Sequence, residues 1–593
     1  MTEIDFDISR LHKSYAGGLS PAAVVAEAYR RLADAEDPGI FISLVSRKDA
    51  LAAAAALPPF DPVAKPLWGV PFAVKDNIDA APLPTTAACR EFAHQPQESA
   101  TVVQRLLDAG AILIGKTNLD QFATGLVGVR TPYPVPRNAC DETLVPGGSS
   151  SGSGVSVSRG IVSFALGTDT AGSGRIPAAL NNVVGLKPSR GALSVKGVVP
   201  ACLSLDCVSI FAGTVGDAWR VMTVAAAPDA GDPWSRKFAL GQPALPPKVR
   251  FGMPDAASLE IDSDLARDAY DAALALLPSA PAPVDLKPFY AVAALLYEGA
   301  WVAERYAAIR GFIEKQPEAL HPVTRTIIEG ATKLSAADAF DGIYRLKELA
   351  AVTRKAWDTM DVLVVPTMPD VCTLKAVADD PIGANSRLGT YTNFVNLLDL
   401  CALAVPGPFR ADGRPAGVTL IAPAGRDALL AAIAEDLHGK AGVSIGATGR
   451  PLPVPAARPE GVPPGKVGLA VVGAHLSGMA LNPELTSRGA SFVKAVETEP
   501  AYRLYSLPGG PPKRPGMVRD ASDGAAIGVE VWALTPKAFG DFVATVPAPL
   551  AIGTVRLADG TTVKGFLCEP AGLDGAEDIT RFGGWRSYIA SLT

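Results

Sequence analysis

Apolar positions recur along the chain in two rhythms, and their alternation predicts an α/β architecture. Residues 99–115, SATVVQRLLDAGAILIG, place apolar residues at helical spacing after Ser99, stop at Gly110 and resume as the short run AILIG. This predicts a helix capped by Ser99 that leads into a strand. Apolar runs at 162–167 (VSFALG) and 361–367 (DVLVVPT) predict further strands, and RDALLAAIAEDLH at 426–438 predicts a helix. Together they describe a domain built round a central sheet flanked by helices. Between 295 and 306, LLYEGAWVAERY reads as one amphipathic helix with Leu295, Leu296, Trp301 and Val302 on its apolar side.

The pattern changes at 446–466, GATGRPLPVPAARPEGVPPGK, where six prolines favour an extended, semi-rigid segment. This predicts a boundary: a large domain over 1–445, a Pro-rich linker over 446–466, and a small α+β domain over 467–593. The last part is rich in strand-like runs, and TVRLA and TTVKGFL around Asp559-Gly560 read as a hairpin. A length of 593 residues agrees with more than one hydrophobic core.

Composition narrows the partners. Hydrophobic residues make up 48% and charged residues 19%, with a mean hydropathy of +0.22, which excludes extensive disorder. A net charge of -6 leaves no basic surplus for a phosphate backbone, so nucleic acid is not an expected partner. The first residues are acidic where a signal peptide would be basic, and no apolar run reaches about 18 residues, so a cytoplasmic protein without membrane contact is expected. The 7 cysteines never form CxxC and the 5 histidines form no HExxH, so neither a metal nor another cofactor is expected.

PGGSSSGSG at 146–154 has the composition of a flexible linker. Its flanks do not: a helix-then-strand pattern follows, and then a second small-residue turn, GTDTAGSGR at 167–175. These segments, with GVPFAVKDN upstream and VVGLKP downstream, resemble the amidase signature family in order and spacing. Lys75 to Ser173 is 98 positions and Ser149 to Ser173 is 24. The likeness covers roughly 1–445 and implies the amidase signature fold, a central mixed sheet flanked by helices.

A serine hydroxyl needs a base to take its proton, and no histidine here sits in a catalytic motif near Ser173. The resemblance supplies a lysine instead. It implies Ser173 as nucleophile, Ser149 as proton bridge behind a cis peptide bond, and Lys75 as base. An ordinary lysine is neutral in only about one molecule in a thousand near pH 7.4. Burial beside WGVPFAV would remove much of that handicap. The turn Thr170-Ala171-Gly172-Ser173 would aim backbone N–H groups at a developing oxyanion.

Residues 115–134 and 295–306 resemble the allophanate hydrolase branch of the family, in which a tyrosine and an arginine bind the substrate carboxylate; Tyr297 and Arg305 match them. Arginine suits that task, since it grips a carboxylate with two parallel hydrogen bonds. From periodicity alone, Arg305 reads as a helix-surface residue and Tyr297 as a core aromatic. Residues 467–593 resemble the C-terminal domain of longer members of this branch, and a strand followed by a small-residue turn also resembles the γ-glutamylcyclotransferase-like fold. The branch likeness implies decarboxylation of the first product, N-carboxycarbamate, with His475 matching the residue involved; the other reading is a turn histidine in a domain that only supports assembly. Glu530, in the apolar run AIGVEVW, is a further candidate or a strand-edge residue facing water. The resemblance also implies a homodimer. With no biotin-attachment or ATP-binding pattern in the sequence, a separate urea carboxylase or a biuret-forming pathway would supply the allophanate. A general amidase of other acyl preference, an amidotransferase-like subunit and an inactive binding module are the alternatives.

Overall fold

A computed structural model describes residues 4–455, 461–510 and 512–592, which separate into two compact units. The first holds 4–237 and 251–455, and the second holds 238–250 and the described residues from 461 onward. The stretch 238–250 leaves the first unit and joins the second, an excursion that a single boundary at 446–466 does not describe.

Eleven strands form the sheet of the first unit: β1 (Phe41–Leu44), β2 (Pro71–Lys75), β3 (Ile112–Thr117), β4 (Phe164–Asp169), β5 (Val184–Lys187), β6 (Cys207–Ala212), β7 (Phe251–Pro254), β8 (Ala282–Val284), β9 (Val362–Pro366), β10 (Leu400–Pro406) and β11 (Gly417–Pro423). Their order is β1-β3-β2-β4-β6-β5-β10-β11-β9-β7-β8. The sheet is mixed: β2 runs parallel to β3 and β4, whereas β4 pairs with β6 antiparallel. Every residue of β2, β3 and β4 is buried, as expected of strands covered on both faces. One apolar cluster joins Trp68, Ala73, Ile114, Val155, Ala165 and Phe211. Another joins Phe289, Leu296, Leu363, Phe394 and Ile421. A short hairpin, β12 (Ser444–Ile445) with β13 (Arg450–Pro451), straddles the start of the stretch expected to be linker, with β12 before 446 and β13 within it.

Three local expectations are corrected. The helix after Ser99 begins at Thr101 behind Ala100 and has no side-chain cap. Ser99 Oγ instead accepts a hydrogen bond from the Ala81 amide at 3.1 Å. LLYEGAWVAERY is not one helix: Lys287–Glu298 ends at Gly299, whose φ of -114° and ψ of -166° are extended, and Trp301–Ile313 begins a new one. The strand containing VSFALG runs on to Asp169, two residues beyond the apolar run.

In the second unit, β14 (Val467–Val471), β15 (Ser491–Glu497), β16 (Tyr502–Leu507), β17 (Arg514–Arg519), β18 (Gly528–Leu534), β19 (Leu550–Arg556), β20 (Thr562–Cys568) and β21 (Glu577–Asp578) make two sheets, β15-β18-β14-β20-β19 and β17-β16-β21. The hairpin read around Asp559-Gly560 is β19 with β20, Arg556 opposite Thr562. Leu469, Val471, Tyr502, Val531, Trp532 and Phe542 belong to its core. Among the described residues no helix is long and apolar enough to cross a membrane.

Candidate active site

Ligands of sheets with parallel strands gather where those strands end at their carboxyl termini. Lys75 is the last residue of β2, and Thr168 lies one residue before the end of the neighbouring parallel β4. Lys75 Nζ is 2.7 Å from Ser149 Oγ and 2.7 Å from Thr168 Oγ1. Ser149 Oγ is 2.9 Å from Ser173 Oγ. The three residues singled out in the sequence therefore form one hydrogen-bonded relay, buried throughout.

The run PGGSSSGSG is no linker. Its second half opens the buried helix Ser151–Ser158, and the Gly148–Ser149 peptide is cis. The Gly148 amide donates to Leu126 O at 2.8 Å and the Asp120 amide to Ser149 O at 3.1 Å, which fixes the loop on both sides of the bond. A side chain at Gly148 would overlap the Asp120 carboxylate.

The turn after β4 is organised by Asp169, which sequence reasoning left unassigned. Its carboxylate accepts from the amides of Gly172 (2.9 Å) and Gly174 (3.0 Å) and from Arg175 Nε and NH2, both at 2.9 Å. Burial works to raise the Asp169 pKa, but the Arg175 guanidinium brings it below the ordinary carboxylate value. The expected set of oxyanion donors is corrected here, because the Gly172 N–H is already committed to Asp169. The amides of Thr170, Ala171 and Ser173 have no acceptor among the described residues. Ser173 Oγ also lies 3.4 Å from Gly125 O.

Electrostatics suit a base. Burial pulls the Lys75 pKa down from 10.5 to about 7, against the opposing fields of Asp120, Asp206 and Asp169. Asp206, also missed from sequence, accepts from Thr170 Oγ1, from the Ala201 amide at 2.9 Å and from the Cys202 amide at 3.2 Å. Burial pushes its carboxyl up to about 6. Such an array can move a proton from Ser173 through Ser149 to an amine that is half neutral near pH 7.

Arg305 is no surface residue: it is 2% exposed. Its NH1 donates to Thr124 Oγ1 at 3.2 Å, one residue before the carbonyl that faces Ser173. Its NH2 lies 3.5 Å from the Tyr297 hydroxyl, with the guanidinium carbon 5.2 Å from the ring centroid. On one continuous helix, positions eight apart would be separated by about 12 Å of rise; the break at Gly299 lets the two side chains meet. Arg305 Nε is buried with no hydrogen-bond partner among the described residues.

His475 and Glu530 occupy different surroundings in the second unit. His475 stacks on Phe566 at 5.2 Å, meets Phe542 edge-on at 5.1 Å, and places Nε2 3.2 Å from Glu484 Oε2. Burial lowers its pKa, with Glu484 opposing. Glu530 is not at a strand edge facing water: β18 is an interior strand and the residue is 2% exposed. Among the described residues no group of three or more His, Cys, Asp or Glu is arranged to hold a metal ion.

Comparison with known proteins agrees with this layout. The amidase family model matches residues 23–431, and the model of the allophanate hydrolase C-terminal domain matches 467–590. Urea amidolyase of Saccharomyces cerevisiae is 44% identical over 550 residues, covering 89% of this chain and 30% of that protein. This chain thus spans about a third of the length of the curated relatives it matches first. The allophanate hydrolase of Kluyveromyces lactis superimposes with a TM-score of 0.78 at 40% identity over the whole of both chains. The urea amidolyase of K. lactis gives a TM-score of 0.79 at 41% identity, over all of this chain and 37% of the other. With a family match over most of its length and the relay in place at the ends of β2 and β4, this chain belongs to the amidase family and carries an allophanate hydrolase C-terminal domain behind the amidase domain.

Proposed function

We propose that this chain hydrolyses allophanate, releasing ammonia and N-carboxycarbamate, with Ser173 as nucleophile, Ser149 as proton bridge and Lys75 as base. Arg305 carries the choice of substrate. A guanidinium that is 2% exposed, has a bare Nε and stands beside Thr124 is built for an anionic group on the ligand. Allophanate is a small amide ending in a carboxylate. A plain amide would bring this buried cation no negative charge.

In the first half-reaction Ser173 Oγ adds to the amide carbon while its proton passes to Ser149 and the Ser149 proton to Lys75. The carbonyl electron pair moves to oxygen, which faces the free amides of the 170–173 turn; each such donor is worth about 3 kcal/mol. Collapse breaks the C–N bond, and the nitrogen leaves as ammonia with a proton returned through Ser149. Water then takes the place of Ser173 Oγ in the same sequence and frees the N-carboxycarbamate. The C-terminal domain, with His475, promotes loss of carbon dioxide from that product to give carbamate, which takes up a proton and breaks down to a second carbon dioxide and the second ammonia. Likeness to urea amidolyase supports a urea-carboxylating activity, on the same polypeptide or another, as the source of allophanate. The enzyme acts as a homodimer, which sedimentation of the purified protein tests.

A coupled ammonia assay with allophanate, run beside simple amides on the wild type and Ser173→Ala, tests the function. Turnover of allophanate that vanishes in Ser173→Ala supports it. Faster turnover of neutral amides than of allophanate would reduce the protein to a general amidase.

A further inference from the structure

The chain from Asp120 to Arg130 forms a loop that is buried except at Val129 and tied together at its neck. The Asp120 carboxylate accepts from the amides of Gly128 and Arg130, both at 2.9 Å, and the Gln121 amide donates to Arg130 O at 2.7 Å. Beyond the neck, Phe122 and Ala123 take left-handed backbone angles, with φ of 51° and 53°, which side-chain-bearing residues adopt where their surroundings impose them. The three residues that follow each touch a different part of the amidase site. Thr124 Oγ1 accepts from Arg305 NH1 at 3.2 Å, Gly125 O faces Ser173 Oγ at 3.4 Å, and Leu126 O accepts from the Gly148 amide at 2.8 Å, next to Ser149.

Arg130 holds this tip of the loop. It is 2% exposed, its NH1 donates to Thr124 O at 3.0 Å, and its NH2 donates to Pro381 O at 2.8 Å across 251 positions of sequence. Neither acceptor is a carboxylate, and among the described residues no carboxylate pairs with this cation. Two carbonyl dipoles compensate a buried charge only in part. Packing alone therefore gives no reason for an arginine here, whereas its planar fork can reach two fixed acceptors at once. The distant segment supplies a second tie, since Asn385 Oδ1 accepts from the Leu126 amide at 2.7 Å. Thr124 is thus held at its carbonyl by Arg130 and at its hydroxyl by Arg305.

We propose that Arg130 is a positioning residue of the amidase site, ordering residues 124–126 so that Arg305 and the nucleophile Ser173 keep a fixed relation. It acts through the main chain of Thr124 and not on the substrate. The link to Arg305 rests on the carboxylate-binding role given to that residue above; the link to Ser173 does not.

Arg130→Gln, in the full-length protein, is assayed for kcat and KM on allophanate and on the neutral diamide malonamide. With Gly125 O displaced from Ser173, kcat falls by about tenfold or more on both substrates. With Thr124 displaced from Arg305, kcat/KM for allophanate falls by about a further tenfold relative to malonamide. In an Arg305→Ala background the same substitution changes that ratio by less than about threefold, because the contact through which it acts is gone. A folded Arg130→Gln with the wild-type ratio, or a loss of ratio that persists in full without Arg305, overturns the proposal. Thr124→Val, which removes only the hydroxyl, shows the same loss of ratio, and a wild-type ratio there refutes the path through Thr124. Should Arg130→Gln fail to fold by circular dichroism, Arg130→Lys decides. It keeps the charge without the fork, so a loss of ratio of about threefold or more is expected, and the wild-type ratio overturns the proposal. A ratio in Arg305→Ala equal to that of wild type is instead a failure of the substrate reading. The loop is then judged by kcat on malonamide, where an unchanged value in the Arg130 variant overturns it.

Discussion

Replacing Lys75 by methionine abolishes turnover and stabilises the protein, by an amount that shrinks as pH rises. The side chain is fully buried, and burial lowers its pKa from 10.5 to about 7. In the unfolded chain the amine keeps its ordinary value, so between about pH 7 and 10.5 the unfolded state binds the extra proton. Stability therefore rises with pH across that window, and the burden of the buried amine is complete below pH 7. At 1.36 kcal/mol per tenfold change in proton affinity, it comes to about 5 kcal/mol at pH 6 and about 2 kcal/mol at pH 9. Methionine has similar length and no charge. Its gain is reduced by about 1–2 kcal/mol, because Ser149 and Thr168 each lose a partner. Chemical denaturation of both proteins at pH 6 and pH 9, followed by circular dichroism, reads the difference. Taking wild type against variant at each pH cancels other titrating groups such as Asp76 and Lys116. The expected gain at pH 6 exceeds that at pH 9 by about 3 kcal/mol. A gain independent of pH, or a loss at pH 6, would refute a buried amine of lowered pKa, and with it the means by which Ser173 is activated.

Arg305→Ala lowers kcat/KM for allophanate by about 30-fold to 1000-fold, the effect of removing one partner of a buried charged contact, while a neutral diamide such as malonamide changes less than tenfold; equal losses on both would remove the specificity role. Gly172→Ala forces a side chain into a backbone with φ of 135° and against Thr392 Oγ1. It costs about 1–3 kcal/mol of stability and displaces Ser173 from Ser149, so kcat falls at least 100-fold with KM little changed; steady-state kinetics on folded protein checks this. His475→Ala leaves the first ammonia at the wild-type rate and makes the second depend on spontaneous decarboxylation, read by parallel ammonia and carbon dioxide traces.

What the sequence made legible lies close together along it. Lys75, Ser149 and Ser173 stand in short local motifs that are themselves the signal, and β4 lies largely within an apolar run that reads as a strand. Contacts that depend on the folded chain were not legible. Asp206 reaches Thr170 over 36 positions and Arg305 reaches Thr124 over 181. The oxyanion turn was misjudged for a nearer reason: Asp169, within the same motif, takes the Gly172 amide that backbone geometry alone leaves free. Gly299 was in plain view, and periodicity on either side concealed it because both helices present apolar residues to one core.

Asp206 joins the two halves of the site, and this gives a last consequence. Its carboxyl, pushed up to about 6 by burial, is held down in part by the Arg305 cation, and its negative charge in turn raises the pKa of Lys75. Removing Arg305 therefore lets Asp206 hold its proton to higher pH. The weakened negative field at Lys75 then moves the amine to a lower pKa. In wild type the acid limb of kcat/KM falls near pH 7, since the amine must be neutral to accept a proton. In Arg305→Ala, assayed on a neutral amide so that binding of a carboxylate does not enter, that limb moves to lower pH. Asp206→Asn moves it the same way, and the double variant moves it little further than either alone, because both act through one charge. A limb that moves to higher pH in Arg305→Ala would mean that direct repulsion between guanidinium and ammonium outweighs the path through Asp206. Substrate grip and base strength would then be coupled directly through space and not through Asp206.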